Sequence, residues 1–63
     1  MSRYYYVESW SGWFVCWARL LRKARSEGVA EFGRGKVKSV RPATEGEVEY
    51  YESQKGPVLK HAV

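Results

Sequence analysis

The chain has 63 residues and a mass of 7.3 kDa, which reads as one small basic domain over residues 1–63, because domains seldom fall below about 50 residues. Eleven Lys and Arg against seven Glu leave a net charge of +4, a single Cys excludes an internal disulfide scaffold, and one His with no Asp is too small a ligand set for a structural zinc site. A domain this size buries only about 60% of its unfolded surface, so three Trp, five Tyr and two Phe are more large rings than one thin core readily encloses.

In chain order, Arg3 to Glu8 reads as a strand, since Tyr4, Tyr5, Tyr6 and Val7 are aromatic or β-branched and suit a pleated surface. Both of its faces are apolar, which calls for a central place in a sheet or a face kept for a partner. The next segment has two readings. Trp10, Trp13, Phe14, Trp17, Leu20, Leu21 and Ala24 recur at helical spacing, and Gly28 stands where a helix C-cap belongs, which predicts a helix over about 12–27. The alternative is an N-terminal hairpin over 4–18 followed by a short helix, with Ser11-Gly12 turning between Tyr4–Trp10 and Trp13–Ala18.

Val29 to Arg41 reads as extended, broken at Gly33-Arg34-Gly35 by a bulge or a hairpin tip, and Pro42 ends it. A second helix follows from a capping box: Thr44 as N-cap, Glu47 as its partner, Ala43 and Val48 as a hydrophobic staple, with Gly56-Pro57 as the stop. The tail, 57–63, is an edge strand or a segment docked on a partner. The predicted fold class is α+β, in the order β-α-β-(β)-α-(β), one small sheet covered by two helices on one side.

Charge is unevenly spread. Residues 1–28 carry +3, residues 29–43 another +3, and residues 44–63 carry −2. A basic front invites polyanions, and an acidic tail invites a basic neighbour, a second copy included. Two groups of cations are candidate phosphate contacts. Arg19, Arg22, Lys23 and Arg25 crowd the polar side of the first predicted helix, where neutralised phosphates would release counterions. The competing explanation is a solvated helix face whose cations complement the C-terminal dipole end. Arg34, Lys36, Lys38 and Arg41 form the second group, and in an unbroken strand Phe32, Arg34, Lys36 and Lys38 would share one face. An aromatic flanked by cations is a stacking platform for single-stranded nucleic acid, with Phe32 and Tyr4 or Tyr6 as its rings. The competing explanation is an edge strand kept from aggregating by lysines.

Gly33-Arg34-Gly35-Lys36 fits neither a Walker A loop nor a dinucleotide fingerprint. Cys16 lies in an apolar run without a neighbouring base, and His61 sits near the chain end, so no catalytic set assembles and no enzyme, cofactor or metal is expected. Trp10, Trp13, Trp17 and Tyr50 are the candidate interface residues, since Trp and Tyr concentrate at interface centres and a small domain gains from sharing a core in a homodimer. The longest uncharged run, Ser9 to Ala18, is too short for a bilayer span, and one unpaired Cys suits a reducing compartment, so a cytoplasmic chain without a membrane partner is expected. The lack of Asp, Asn and Ile suits high temperature, where Asn deamidates. The function expected is a small, non-enzymatic protein that contacts nucleic acid mainly through phosphates; the alternative is a protein–protein module or small subunit of a larger assembly that uses exposed aromatics.

Overall fold

The computed structural model describes residues 1–62. Four strands and two helices follow in the order β1 (Arg3–Ser9), β2 (Trp13–Ala18), α1 (Leu21–Phe32), β3 (Val37–Pro42), α2 (Glu45–Lys55) and β4 (Lys60–Ala62). This is a small α+β domain, as its composition and punctuation foretell, but the connection after β1 is a hairpin. The helix expected over 12–27 does not form; residues 13–18 are strand, and helix begins only at Leu21. Aromatic and β-branched density decides the matter: Trp13 to Trp17 loses side-chain freedom in a helix and packs well on a pleat.

The register corrects the hairpin as well. Tyr4 pairs with Trp17, Tyr6 with Val15 and Glu8 with Trp13, so the turn is Ser9–Gly12 and Trp10 stands at its tip, not opposite Trp13. Ser9 holds that turn, its N–H donating to Gly12 O (2.7 Å) and its Oγ accepting from Ser11 N–H (3.1 Å). The sheet order is β3-β1-β2-β4, antiparallel at β1/β2 and β1/β3 and parallel at β2/β4. β1 is therefore central, which accounts for its two apolar faces.

Strand alternation gives each face its own helix. Tyr5, Val7, Phe14, Cys16 and Ala18 face α1, and all five are buried. Phe32 lies 5.6 Å from Phe14, ring centre to ring centre, and Gly28 abuts Val7 and Val37. Gly28 is thus a mid-helix point of close approach and not the C-cap. That place belongs to Gly33, whose φ of 105° lies in the left-handed range and whose N–H donates to Val29 O (2.8 Å). Val29 to Phe32, expected as strand, is the last turn of α1.

On the other face Tyr4, Tyr6, Trp13, Val15 and Trp17 lie under α2, which docks by the edge-on contact of Tyr51 with Trp13 (5.4 Å). The helices therefore lie on opposite sides of the sheet and not on one. The capping box of α2 is present in full, Glu47 N–H donating to Thr44 Oγ1 and Thr44 N–H to Glu47 Oε1. The tail supplies β4, an edge strand beside β2, anchored where Lys60 Nζ meets Glu31 Oε2 (2.8 Å); Val63 lies outside the described residues. Among the described residues no helix is long and apolar enough to cross a membrane.

Candidate nucleic-acid interface

The platform of alternating Phe32, Arg34, Lys36 and Lys38 does not exist. Phe32 ends α1 and packs on Phe14, Arg34 and Lys36 lie on the turn between α1 and β3, and only Lys38 is in a strand. Tyr4 and Tyr6 lie on the opposite face from Phe32, so these three rings cannot form one surface. The glycines are the reason: Gly33 and Gly35, with φ of 105° and 77°, stop a helix and turn the chain into β3.

A different aromatic is exposed near cations. β1 and β3 are antiparallel with Ser9 opposite Val37, so residues preceding Val37 continue past the sheet end beside the 9–12 turn. A register shift at Glu8/Ser9 accompanies this, and such bulges re-aim the chain at a sheet edge. Trp10 consequently stands 76% exposed, with Lys38 Nζ 4.7 Å from its ring centre. Arg34 and Lys36 are exposed at the same end. Trp10, one of the expected interface residues, is thus an exposed ring with one lysine over it. Its place after a Glu-Ser step and before a Ser-Gly turn was the sequence signal for an exposed tip.

The cations of the first group are all exposed, and they sit where the dipole argument does not explain them. Because α1 starts at Leu21, Arg22 and Lys23 occupy its first turn, the end that favours anions, and no acidic residue accompanies them there. Its N-cap, Leu20, makes no side-chain hydrogen bond, so the backbone N–H groups of that turn lack the usual cap. Among the described residues none of Arg19, Arg22, Lys23, Arg25, Arg34 and Lys36 forms an ion pair.

Lys38 and Arg41 differ. Lys38 reaches Glu8 at 3.9 Å, a loose exposed pair. Arg41 is committed internally: its guanidinium lies 4.5 Å over the Tyr6 ring and grips Glu47 with both terminal nitrogens, Nη1 donating to Oε1 at 2.8 Å. That fork, with the Thr44 N–H, holds the Glu47 carboxyl well below the usual carboxylate range, at about 2. Burial, with Glu8 nearby, pushes the Tyr6 hydroxyl up.

Beyond Tyr6 the rings stack onward, Tyr6 to Trp13 (5.4 Å) and Trp13 to Tyr50 (6.0 Å), and Lys55 closes the row by donating to Trp13 O (2.7 Å). Trp13 and Trp17 are half-buried in these contacts, Trp17 against the Tyr4 edge (4.6 Å), whereas Tyr50 remains 57% exposed. The aromatic surplus is mostly spent inside the molecule. Burial pushes the Cys16 thiol up, away from the reactive thiolate. His61 Nε2 lies 3.1 Å from Val58 O. Among the described residues no three His, Cys, Asp or Glu side chains converge on a metal position. No protein-family model matches the chain, and neither does any curated protein or solved structure.

Proposed function

We propose that the protein binds single-stranded nucleic acid along the α1 side of the molecule, as a binder and not a catalyst. The observation that carries this reading is the exposed Trp10 with Lys38 over its ring, together with Arg34 and Lys36 exposed at the same end of the sheet and Arg19, Arg22, Lys23 and Arg25 exposed toward the start of α1. A base stacks on the indole while the strand's phosphates follow Arg25, Arg22, Lys23 and Arg19. Twelve helical residues extend about 18 Å, room for a few nucleotides.

The test is retention of labelled random single-stranded and duplex oligonucleotides across a salt series. Affinity should fall steeply with salt and favour the single strand. Trp10→Ala should weaken single-strand binding by about 1–3 kcal/mol. Replacing Arg22 and Arg25 by Gln should lower the salt slope by about 1–2. No retention at low salt, or retention indifferent to salt, overturns the reading.

The rival, a protein–protein module or a homodimer joined through aromatics, is supported by Tyr50 and Trp10, since Trp13 and Trp17 are largely engaged internally. It predicts sedimentation as a stable dimer that Tyr50→Ala disperses.

A further inference from the structure

At the end of the sheet opposite the hairpin tip, β1 begins, β2 ends and the chain passes from β3 into α2. There α2 stands clear of the sheet over a groove of about 680 Å³. Its floor is Tyr4 and Trp17, one wall is the side of α2 that carries Glu45, Val48 and Glu49, and Pro42 and Ala43 close one end.

The same face holds a worked pattern for this arrangement. Two residues along β1 from Tyr4, the Tyr6 ring carries Arg41, whose guanidinium is gripped by a carboxylate from α2. An aromatic floor on the sheet, a cation above it and a glutamate of α2 at its side make up that unit. Tyr4 and Trp17, meeting edge to face, supply the rings there, and Glu45 and Glu49 the helix carboxylates. Among the described residues no cation of this chain lies over the Tyr4 or Trp17 ring, the cation–ring contacts being at Trp10, Tyr6, Trp13, Tyr51 and Phe14. Arg3 and the chain start line the strand side of the groove, across from the two carboxylates.

We propose that this groove receives an arginine side chain presented by another polypeptide. Its guanidinium lies on the Tyr4–Trp17 floor and is held at its side by Glu45 and Glu49, as Arg41 is held by Tyr6 and Glu47. Guanidinium suits the site better than ammonium, because its flat face stacks on a ring while its edge donates in pairs to a carboxylate. The groove lies on the α2 face of the sheet, opposite the face that α1 covers, so a ligand there does not compete for the α1 side.

The measurement is a chemical-shift titration of the full chain with a short arginine peptide blocked at both ends, against the same peptide carrying citrulline, which keeps the shape and loses the charge. The arginine peptide should move the Trp17 indole N–H and the Tyr4 and Glu45 amide signals, and citrulline should bind about tenfold more weakly. Joint replacement Glu45→Gln and Glu49→Gln should weaken the arginine peptide about tenfold and leave oligonucleotide retention unreduced. Both positions are exposed, and an otherwise unchanged amide spectrum verifies that the variant is folded. Equal affinity for citrulline, native affinity in the double variant, or shifts confined to residues outside the groove each overturn the proposal.

Discussion

At Gly28 a hydrogen is the largest side chain that fits. A Cβ there would stand 2.7 Å from Val7 Cγ1 and 3.0 Å from Val37 Cγ2, and neither atom is the end of a flexible chain. Gly28→Ala therefore gains about 1 kcal/mol of helix propensity and sets against it about 1–3 kcal/mol of overpacking. We expect a net loss, read as a lower urea midpoint with an unchanged slope. Glu47 makes a pH-dependent prediction. Its folded carboxyl titrates at about 2, below the unfolded value, so its contribution is complete above the ordinary carboxylate range and is lost as pH falls toward 2. The stability gap between the native chain and Glu47→Gln should be constant above about pH 5 and shrink between about pH 4 and 2; a gap that holds steady through that window would remove the Arg41 fork as its source. The buried Cys16 should resist thiol reagents until the chain unfolds.

The elements differ in how plainly they could be read from residues alone. α2 was legible in full, because Thr44, Glu47 and Gly56 are local chemistry that needs no tertiary information. The 12–27 segment was not, because its rings satisfy a helical period and a two-residue period at once, and only pairing with Tyr4–Val7 decides between them. Gly28 and Gly33 misled in the same way: either can end a helix, and the tight seat against Val7 and Val37 became visible only with the sheet in place. The cations were correctly marked as exposed, but Phe32 was placed on one strand face with them because a strand was assumed through the glycines. Two caps give predictions of opposite sign. Thr44→Ala should cost α2 about 1 kcal/mol by removing the hydroxyl that accepts from the Glu47 N–H, the half of the box made by the backbone N–H of residue 44 remaining. Leu20→Ser should stabilise α1 by a similar amount, since the existing N-cap offers no acceptor and is partly exposed already. Thermal melts of the two variants should move apart, Thr44→Ala downward and Leu20→Ser upward.

For the whole molecule, placing the helices on opposite faces turns a bipolar chain into a bipolar body. Arg19 to Lys36, α1 and its flanks, carry six cations against two carboxylates, whereas α2 carries four carboxylates against Lys55. The sheet between them separates the two fields, so a polyanion is steered to one side and repelled from the other. Raising salt should weaken both proposed interactions, but the variants should separate them: Arg22→Gln with Arg25→Gln should affect oligonucleotides alone, and the Glu45, Glu49 pair the arginine peptide alone.

The three tryptophans occupy three distinct settings: Trp10 in solvent at the hairpin tip, Trp13 sandwiched between Tyr6 and Tyr50, and Trp17 on the groove floor beside Tyr4. The protein thus carries an intrinsic fluorophore at each place where something is expected to happen. With single-tryptophan variants, quenching of Trp10 would report base stacking, a shift at Trp13 would report α2 leaving the sheet, and Trp17 would report the groove, each in its own variant and without a label.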